Sequence, residues 1–538
     1  MRTSRGFLFC ILAMSFVLAA GLPGASSAAF AGGDFFKKDE ILVKLKQNTP
    51  LTGSGIISAL AVERARRMLS GRGEDRIYRL KLAPGETVES KVTDASMSPD
   101  VELAQPNYIY HALEKPDDPL FKLQWGLLDT GQKVLSMHGK CGADIKMPFA
   151  WNRATGSKDI VVAVIDSGID YTHPDLAGNV WTNPSPGTQG YSGDIHGINA
   201  ITGTGDPLDD LGHGSHVSGI IGAVGDNAAG ICGINWHVSI MALKFLDSTG
   251  SGSTDNAVTC INYAVNEKKA GVDVRAINAS WGGPAGGNID QILQAAIQTA
   301  SDNGILFVAA AGNNGSDNDT EPMYPASFNN ISGVISVAAT DMHDKLAYFS
   351  EYGKHSVHVA APGVNILSTW PASLSGNGTS YMVESGTSMA APHVSGLAAL
   401  TASVNKSLTA AQIKSLILDN ADFLKLPIIT GGRINAARTI GAAEGDKVQL
   451  SVTRQGNFSV MQAMVYAEGS AQSRKKVLFY RDGKKICYRL TGGPASANPG
   501  TAVLKLRDKP GNHTAFAVSA HFGDVQSMSS NIVYYTVP

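Results

Sequence analysis

Continuous apolar runs rich in β-branched residues recur through the middle of this 538-residue chain and constrain its fold more than any other feature. They occupy residues 160–165, 305–310 and 334–338. A strand that is apolar at every position is typical of a parallel sheet covered on both faces. Helical patterns separate the runs, at residues 256–268 and 290–302. We therefore expect a doubly wound, mostly parallel α/β sheet, with its binding crevice beyond the carboxyl ends of the strands.

Segments of different character flank this central domain, which we assign to residues 115–443. Residues 34–114 alternate strand and helix patterns, which predicts a compact α+β domain. These patterns lie, in chain order, at 41–46, 56–69, 77–82, 88–92 and 101–103. Residues 447–538 carry short alternating segments separated by turn signals, which predicts an immunoglobulin-like β-sandwich domain.

The N-terminus has the pattern of a secretory signal peptide. Arg2 and Arg5 precede an apolar run over residues 6–20, and small residues up to position 31 offer cleavage sites. The alternative, a membrane anchor, is weaker because the run is short for a membrane span. We predict a signal peptide over residues 1–31 and a secreted, extracellular protein without membrane association after cleavage.

Charge and cysteine content narrow the possible partners. Lys and Arg number 44 against 46 Asp and Glu, so no basic excess indicates a nucleic-acid partner.

Export would permit disulfides, whereas the apolar settings of Cys232 and Cys260 are typical of buried thiols. The disulfide state therefore stays open for the four cysteines beyond the signal peptide: Cys141, Cys232, Cys260 and Cys487.

Two residues in the central domain suggest acid–base chemistry. Asp166 directly follows the run 160–165, which puts a carboxylate at the crevice unless it only caps a local loop. His213 begins a helical pattern with glycine on both sides, so its imidazole is open to close approach. Histidine is the usual general base because its pKa is near neutral. The alternative is that His213 and His216 together bind a metal ion, but no further ligands accompany them in the sequence. We interpret His216 as a supporting residue of the helix.

Ser388 stands at the start of another helical pattern, after Gly386. A serine there is often only an N-cap. The same helix start, however, supplies backbone donors and a positive dipole end that suit a developing oxyanion. We expect Pro392 to be tolerated because first-turn N–H groups lack intrahelical partners. Asn313 follows the run 305–310, and its amide could donate to that oxyanion or belong to an ordinary turn.

The segments around Asp166, His213 and Ser388 resemble, in this order, the three signatures of the subtilase (subtilisin-like) serine protease family. The resemblance covers roughly residues 115–443. It implies that Asp166 orients His213, that His213 acts as general base and then acid, and that Ser388 attacks the scissile carbonyl. Asn313 and the Ser388 backbone N–H are then the oxyanion donors. The implied enzyme is a serine endopeptidase that works through an acyl-enzyme and is made as a self-processing zymogen.

The resemblance also implies a substrate-binding edge. The segment 278–283 is similar to the family strand that pairs with the substrate backbone, so Ser280, Trp281 and Gly282 would bind substrate, with Gly312 on the opposite wall. Pairing through the backbone tolerates many sequences, which implies broad specificity for protein or peptide substrates. Trp281 replaces the leucine common in well-known members, which alters the upstream apolar pocket. We expect a monomer.

Thermitase-like members of the family hold a calcium ion, and the resemblance assigns its ligands here. The implied set, with the loop residues acting mainly through backbone carbonyls, is Asp118, Asp175, Val224, Asn227, Ala229 and Ile231. Asp206, Asp209 and Asp210 form a candidate second acidic site, with solvated turn carboxylates as the alternative.

The N-terminal unit resembles the inhibitor-type propeptide of thermitase-like members, through residues 104–112 and the junction residues 117–126. The resemblance implies that it assists folding, inhibits the enzyme intramolecularly and is removed by autocatalytic cleavage near 111–116. Two other functions fit these residues less well. An esterase needs Gly-x-Ser-x-Gly, whereas Ala390 fills the last position here. An inactive adhesion protein on a protease fold would not need competent residues at all four catalytic positions.

Overall fold

The computed structural model describes residues 36–46, 62–67, 77–108, 115–284 and 290–445, together with strands between 447 and 537. The predicted signal peptide, residues 1–31, and most of the predicted cleavage segment, 111–116, lie outside the described residues. The chain divides into two compact units, Met1–Ile109 and Tyr110–Pro538.

The first unit contains a four-stranded antiparallel sheet and a helix within its described residues. The elements are β1 (Phe36–Leu45), β2 (Val62–Arg67), β3 (Ile77–Leu82), α1 (Val88–Met97) and β4 (Val101–Tyr108). The sheet order is β2-β3-β1-β4. Ile41 and Val43 of β1 pack with Val88 and Val92 of α1 in one buried cluster. The second predicted helix is therefore present.

The helix predicted over residues 56–69 is wrong in its described part. Residues 62–67 form β2, which pairs with β3 from Val62 opposite Leu82 to Arg67 opposite Tyr78. The near-helical spacing depended largely on positions before Val62, and pairing with β3 gives the backbone N–H and C=O groups partners. The described order is thus β-β-β-α-β and not β-α-β-α-β.

The second unit is built on one large sheet. Its strands are β5 (Lys133–Val134), β6 (Met137–His138), β7 (Gly156–Asp166), β8 (Gly197–Asn199), β9 (His237–Lys244), β10 (Val274–Ala279), β11 (Gly283–Pro284), β12 (Leu306–Ala310), β13 (Met323–Tyr324), β14 (Val334–Thr340), β15 (Val359–Pro362), β16 (Ile366–Thr369), β17 (Tyr381–Glu384), β18 (Asp422–Phe423) and β19 (Gly432–Arg433). Among the described residues, nine of them form a sheet in the order β18-β19-β15-β14-β12-β10-β7-β9-β8. Every neighbouring pair is parallel except β18 with β19. The predicted large, mostly parallel sheet is confirmed.

Strand β7 lies where the strand order reverses, with β9 on one side and β10 on the other. Its side chains alternate between two cores: Ile160, Val162 and Val164 pack on one face of the sheet, and Val161, Ala163 and Ile165 on the other. Ligand crevices of open α/β sheets form at such a reversal, beyond the carboxyl ends of the strands. The last residue of β7 is therefore positioned at the crevice.

Helices cover both faces of this sheet. They are α2 (Met147–Trp151), α3 (His213–Gly222), α4 (Thr254–Lys269), α5 (Gln291–Asp302), α6 (Thr387–Val404), α7 (Ala410–Asp419) and α8 (Ala436–Ala443). The buried residues of α3 and α6 belong to the first core, and those of α4 and α5 to the second. The helices predicted at residues 256–268 and 290–302 are present as α4 and α5. In the described part of the chain, no helix has both the length and the apolar composition needed to cross a bilayer.

Among the described residues, Cys141 is an exposed free thiol, and Cys232 and Cys260 are buried free thiols. The side chain of Cys487 lies outside the described part of the structure.

The C-terminal strands are β20 (Lys447–Gln455), β21 (Phe458–Ala467), β22 (Ser470–Ala471), β23 (Lys476–Arg481), β24 (Lys484–Leu490), β25 (Thr501–Leu506), β26 (Gly511–Ala520), β27 (Ser527–Ser529) and β28 (Val533–Val537). Strand β21 pairs with β20, β22 and β25, and β26 pairs with β23, β27 and β28, while β24 pairs with β23. All of these pairs are antiparallel, and a sandwich arrangement of the two sheets stays a prediction.

Candidate active site

Asp166 and His213 are joined directly. Asp166 is the last residue of β7 and is fully buried, while His213 is the first residue of α3 and its side chain is 26% exposed. The Asp166 Oδ1 atom lies 2.7 Å from Nδ1 of His213 and also accepts a hydrogen bond from the backbone N–H of Ser167. Because an ionised carboxylate only accepts hydrogen bonds, Nδ1 carries a proton, and Nε2 of the neutral ring keeps a lone pair.

The charges around His213 favour its protonated form. Burial lowers the pKa of the imidazole, but the Asp166 carboxylate raises it through both charge and the hydrogen bond. Asp209 and Glu384 add to this effect, and the net pKa lies above the ordinary value of 6.5. Three carboxylates therefore raise the pKa of the His213 imidazole, and not Asp166 alone.

His216, three residues further along α3, has a different role. Its Nε2 atom lies 3.1 Å from the carbonyl oxygen of Ile366 and 3.2 Å from that of Met382. Since carbonyls only accept, Nε2 carries the proton and ties α3 to β16 and β17. Burial lowers the pKa of His216 to about 3, so the ring is neutral at ordinary pH. It supports the helix, as the sequence predicted, and it belongs to no group of three or more candidate metal ligands among the described residues.

Ser388 is the second residue of α6, whose N-cap is Gly386. Its hydroxyl donates to the carbonyl oxygen of Ser280 at 2.9 Å, and the Ser280 hydroxyl donates in return to the carbonyl oxygen of Ser388 at 2.8 Å. Within the described residues, no hydrogen bond joins the Ser388 hydroxyl to His213. Catalytic hydrogen bonds are often unformed in substrate-free enzymes.

The reason predicted for the tolerance of Pro392 needs correction. Pro392 is the sixth residue of α6 and thus lies beyond the first turn. It has no N–H with which to bond the carbonyl of Ser388, four residues earlier. The hydroxyl of Ser280 supplies the missing donor. A side chain from the strand end therefore allows proline inside the helix.

Asn313 lies three residues beyond the end of β12. Its Oδ1 atom accepts hydrogen bonds from the backbone N–H of Thr387 at 2.9 Å and from the Thr387 hydroxyl at 3.0 Å. These bonds fix the orientation of the amide and leave Nδ2 free to donate. Among the described residues, neither this Nδ2 nor the backbone N–H of Ser388 has an acceptor. Two unoccupied donors are thus available beside the start of α6.

Two glycines at the predicted substrate edge are required by their surroundings. A Cβ atom on Gly282 would lie 2.8 Å from the carbonyl oxygen of Tyr324. Gly312 has a φ of +120°, and a Cβ there would lie 2.4 Å from Cδ of Glu351. Trp281 is half-buried, and its indole N–H donates to the carbonyl oxygen of Ile165 at 2.8 Å. Its ring also packs on Phe245, with the ring centroids 4.6 Å apart.

The carboxylates of the predicted calcium site are buried next to the loop 224–231. Asp118 Oδ2 accepts from the backbone N–H of Asp226 at 2.8 Å, while its Oδ1 atom is buried without a hydrogen-bond partner. Asp175 accepts from the Asn227 amide and from the backbone N–H of Ile231. Burial, together with the charge of Asp175, raises the pKa of Asp118 to about 6. An unpaired carboxylate oxygen beside a second carboxylate fits a hard cation, although no group of three or more acidic, His or Cys ligands exists among the described residues.

The candidate second acidic site does not form. Asp206 accepts from the Tyr171 hydroxyl, and Asp210 pairs with the buried ammonium of Lys244 at 2.6 Å. Asp209 is buried and accepts hydrogen bonds from the chain around His213. The three carboxylates are thus engaged by separate partners. The sequence did not predict that Asp209 would contribute to the surroundings of His213. Its position three residues before the helix N-cap Gly212 was the available signal.

Comparison with known proteins identifies the family. The subtilase family profile matches residues 157–464, more than half of the chain, and the fervidolysin N-terminal prodomain profile matches residues 24–107. The thermophilic serine proteinase of Bacillus sp. (strain AK1) is 39% identical over 336 residues, which cover 62% of this chain and 71% of that protein. Thermitase of Thermoactinomyces vulgaris is 38% identical over 301 residues, which cover 55% of this chain and 93% of thermitase.

A solved protease structure from Pseudoalteromonas arctica is 30% identical, with a TM-score of 0.48, and covers 61% of this chain and all of that one. On the strength of the family match, the chain belongs to the subtilase family. It is a subtilisin-like serine peptidase with an N-terminal prodomain, as the sequence predicted.

Proposed function

We propose that this subtilase is a secreted serine endopeptidase of broad specificity whose catalytic triad is Asp166, His213 and Ser388. The observation that carries the proposal is the 2.7 Å contact between Asp166 Oδ1 and His213 Nδ1, which leaves Nε2 as the basic atom. A serine hydroxyl is a weak nucleophile at neutral pH and needs such a base.

Catalysis would proceed by acyl transfer. On substrate binding, the Ser388 hydroxyl turns from the Ser280 carbonyl to Nε2 of His213, which takes its proton as Oγ bonds to the scissile carbonyl carbon. The imidazolium then protonates the leaving amine as the C–N bond breaks. Water repeats the sequence on the acyl-enzyme and releases the acid. Asp166 holds the ring in the tautomer that this proton transfer requires.

The oxyanion of each tetrahedral intermediate would accept from the Asn313 amide and the Ser388 backbone N–H. Both donors are unoccupied, and the amide is held by Thr387. The N-terminus of α6 adds its positive dipole end. Preorganised donors of this kind stabilise the transition state without rearrangement during the reaction.

The substrate would lie extended along Ser280, Trp281 and Gly282, with Gly312 on the opposite wall. Extended peptides bind such edges mainly through main-chain hydrogen bonds, which supports broad specificity for proteins and peptides. The half-buried indole of Trp281 would shape the upstream apolar pocket.

We infer domain limits of 1–31 for the signal peptide, 34–114 for the propeptide, 115–443 for the peptidase domain and 447–538 for the β-sandwich. The prodomain match supports a zymogen whose propeptide inhibits the enzyme intramolecularly and is cut off near residues 111–116. The mature enzyme would act outside the cell as a monomer, without a nucleic-acid or membrane partner.

We further infer a structural calcium ion bound by Asp118 and Asp175, with Asn227 and the backbone carbonyls of Val224, Ala229 and Ile231. The unpaired Oδ1 of Asp118 supports this assignment. The ion would neutralise two buried carboxylates and hold the loop 224–231 against Asp175; it takes no part in the chemistry.

The decisive test replaces Ser388 by alanine in the full-length chain. We expect the variant to lose both casein hydrolysis and propeptide removal, because one hydroxyl serves both reactions. Secretion and N-terminal sequencing of wild type would locate the signal and propeptide cuts. Unchanged processing in Ser388→Ala, or hydrolysis of short esters without any peptide cleavage by wild type, would contradict the proposal.

A further inference from the structure

Asp209 is a buried carboxylate, 6% exposed, in the loop that precedes α3. It accepts five hydrogen bonds. Oδ1 accepts from the Ser167 hydroxyl at 2.8 Å and from the backbone N–H groups of Leu211 and Gly212 at 3.0 and 2.9 Å. Oδ2 accepts from the backbone N–H and the hydroxyl of Ser215, at 2.9 and 2.6 Å. Every donor lies close in the sequence to Asp166 or His213.

Part of this arrangement caps α3. The helix begins after Gly212, which has no side chain with which to cap it. The Ser215 N–H belongs to the first turn, where backbone donors have no intrahelical acceptor. Asp209 supplies that acceptor from outside the helix, and a negative charge is favoured at a helix N-terminus. The turn that carries His213 is therefore held by this carboxylate.

The same carboxylate reaches the chain beyond β7. Ser167 follows Asp166, and its hydroxyl donates to Asp209 while accepting from the backbone N–H of Gly214 at 2.9 Å. Asp209, Ser167 and Gly214 thus form a continuous hydrogen-bonded link between the residue after Asp166 and the residue after His213. This link fixes the separation of the two catalytic segments.

Asp209 also contributes charge. The groups that act on His213 are Asp166 on β7, Asp209 in the preceding loop and Glu384 at the end of β17, all of which raise the pKa of the imidazole. His216 on α3 also interacts with His213, but burial keeps it neutral at ordinary pH. Removal of the Asp209 charge therefore lowers the pKa of His213.

We propose that Asp209 is a positioning residue of this active site, which holds His213 against Asp166 and adds a second buried negative charge to the surroundings of the base. The inference rests on the proposed role of His213 as general base. It replaces the assignment of Asp209 to a second metal site, because its two oxygens are occupied by five protein donors.

The test is Asp209→Asn in the full-length enzyme. The amide preserves the shape but removes the charge and replaces one accepting oxygen with a donor. We expect kcat to fall about 10–100-fold, since small misplacements of a catalytic group have effects of this size. We also expect the acidic limb of the kcat/KM profile to move to lower pH. A loss of kcat with an unmoved limb would reduce Asp209 to a structural residue and overturn the proposal.

Two further variants separate charge from position. Asp206→Asn removes an exposed carboxylate from the same loop and should leave both kcat and the limb unchanged. Asp209→Glu keeps the charge but displaces it by one methylene, so kcat should fall while the limb stays near its wild-type pH. A limb that moves as far in Asp209→Glu as in Asp209→Asn would contradict the charge assignment.

A measurement without turnover distinguishes this inference from the proposed function. In the Ser388→Ala background, the His213 imidazole can be titrated by NMR and assigned by its absence in His213→Ala. Adding Asp209→Asn should lower that pKa, whether or not the wild-type chain hydrolyses peptides. If Asp209→Asn does not fold, Asp209→Glu in the active enzyme tests the positioning role by itself, and a wild-type kcat in that variant would overturn the proposal. An unchanged titration in Asp209→Asn would overturn the inference.

Discussion

The carbonyl oxygen of Gly168 lies 2.1 Å from the position that a Cβ atom on Gly214 would occupy. Gly214 directly follows His213 in α3, and Gly168 lies two residues beyond Asp166. The helix therefore approaches the chain after β7 more closely than any side chain would allow. This close approach brings the imidazole to the carboxylate.

Gly214→Ala should therefore separate the two groups. We expect kcat to fall by about 100-fold, because a displacement of about 1 Å has an effect of this order, and Tm to fall as well. Peptide hydrolysis and thermal melting measure the two effects. Ser218→Ala in the same helix is the matched control: its buried hydroxyl has no partner among the described residues, so its loss should change little. Wild-type kcat in Gly214→Ala would show that the close contact is irrelevant to the site.

Asn313→Ala should lower kcat with little change in KM, because the free Nδ2 of the amide would bond to the substrate only when the oxyanion develops, while its Oδ1 is held by Thr387. The loss of one such donor in subtilisin, a member of this family, costs about 10²–10³ in kcat, which sets the expected size. Thr387→Val keeps the shape of the side chain but removes the hydroxyl that bonds Asn313 Oδ1, and it should give a smaller loss. Steady-state kinetics on one peptide substrate compare the three enzymes. A rise in KM at constant kcat would contradict the oxyanion role.

Ser280→Ala should destabilise the protein, because it removes the donor to the Ser388 carbonyl that Pro392 cannot bond. An unsatisfied buried carbonyl costs about 1–3 kcal/mol. Pro392→Ala restores a backbone N–H at the right position, so the double variant should recover part of the loss. A denaturant-based double-mutant cycle measures this coupling. Additive effects would mean that the hydroxyl does not compensate for the proline.

Removal of calcium should lower Tm. If calcium is present at about 100 times its Kd, its binding stabilises the fold by about 2.7 kcal/mol, which corresponds to several degrees in a domain of this size. EDTA should therefore lower the Tm of the mature enzyme, and added Ca²⁺ should restore it. Asp118→Asn should have a low Tm that EDTA changes little, whereas Glu321→Gln, which changes an exposed carboxylate outside the proposed ligand set, should respond like wild type. An EDTA-insensitive wild type would exclude a stabilising ion.

The acidic limb of the pH profile should lie above the ordinary histidine pKa of 6.5, because carboxylates raise the pKa of His213. The base works only when neutral, so activity is lost as pH falls through this raised pKa. Glu384→Gln removes one of the charges, lowers the pKa and should extend activity to lower pH. Asp302→Asn, which changes an exposed carboxylate on α5, should leave the profile unchanged. A limb that moves upward in Glu384→Gln would contradict this electrostatic account.

The parts of the fold that depend on local pattern were predictable. The run at 160–165 correctly predicted the central strand β7, because a strand buried on both faces needs apolar side chains at every position. Asp166 at the end of that strand and His213 at a helix start followed from the same reasoning. The helix predicted over 56–69 was wrong within β2, because pairing with β3 is a tertiary contact that overrides weak local periodicity.

Contacts between distant segments were not predictable. Pro392 is accommodated because the Ser280 hydroxyl bonds the Ser388 carbonyl that the proline cannot bond, and Ser280 lies 108 residues before Ser388. Asp209 was assigned to a candidate metal site because a run of acidic residues does not reveal which donors surround each carboxylate. Its connection to Ser167 spans 42 residues and exists only in the folded chain. Residue type and local position indicated the chemistry, whereas the supporting hydrogen bonds required the structure.

Helix α6 is the last segment of the proposed triad to be synthesised, and it is also almost wholly enclosed by the rest of the unit. A nascent chain that stops before this segment lacks Ser388, the nucleophile of the proposed triad. Premature termination or truncation during translation would therefore yield fragments that cannot digest their neighbours. The cell that produces the protein would therefore contain active protease only after most of residues 115–443 has been synthesised.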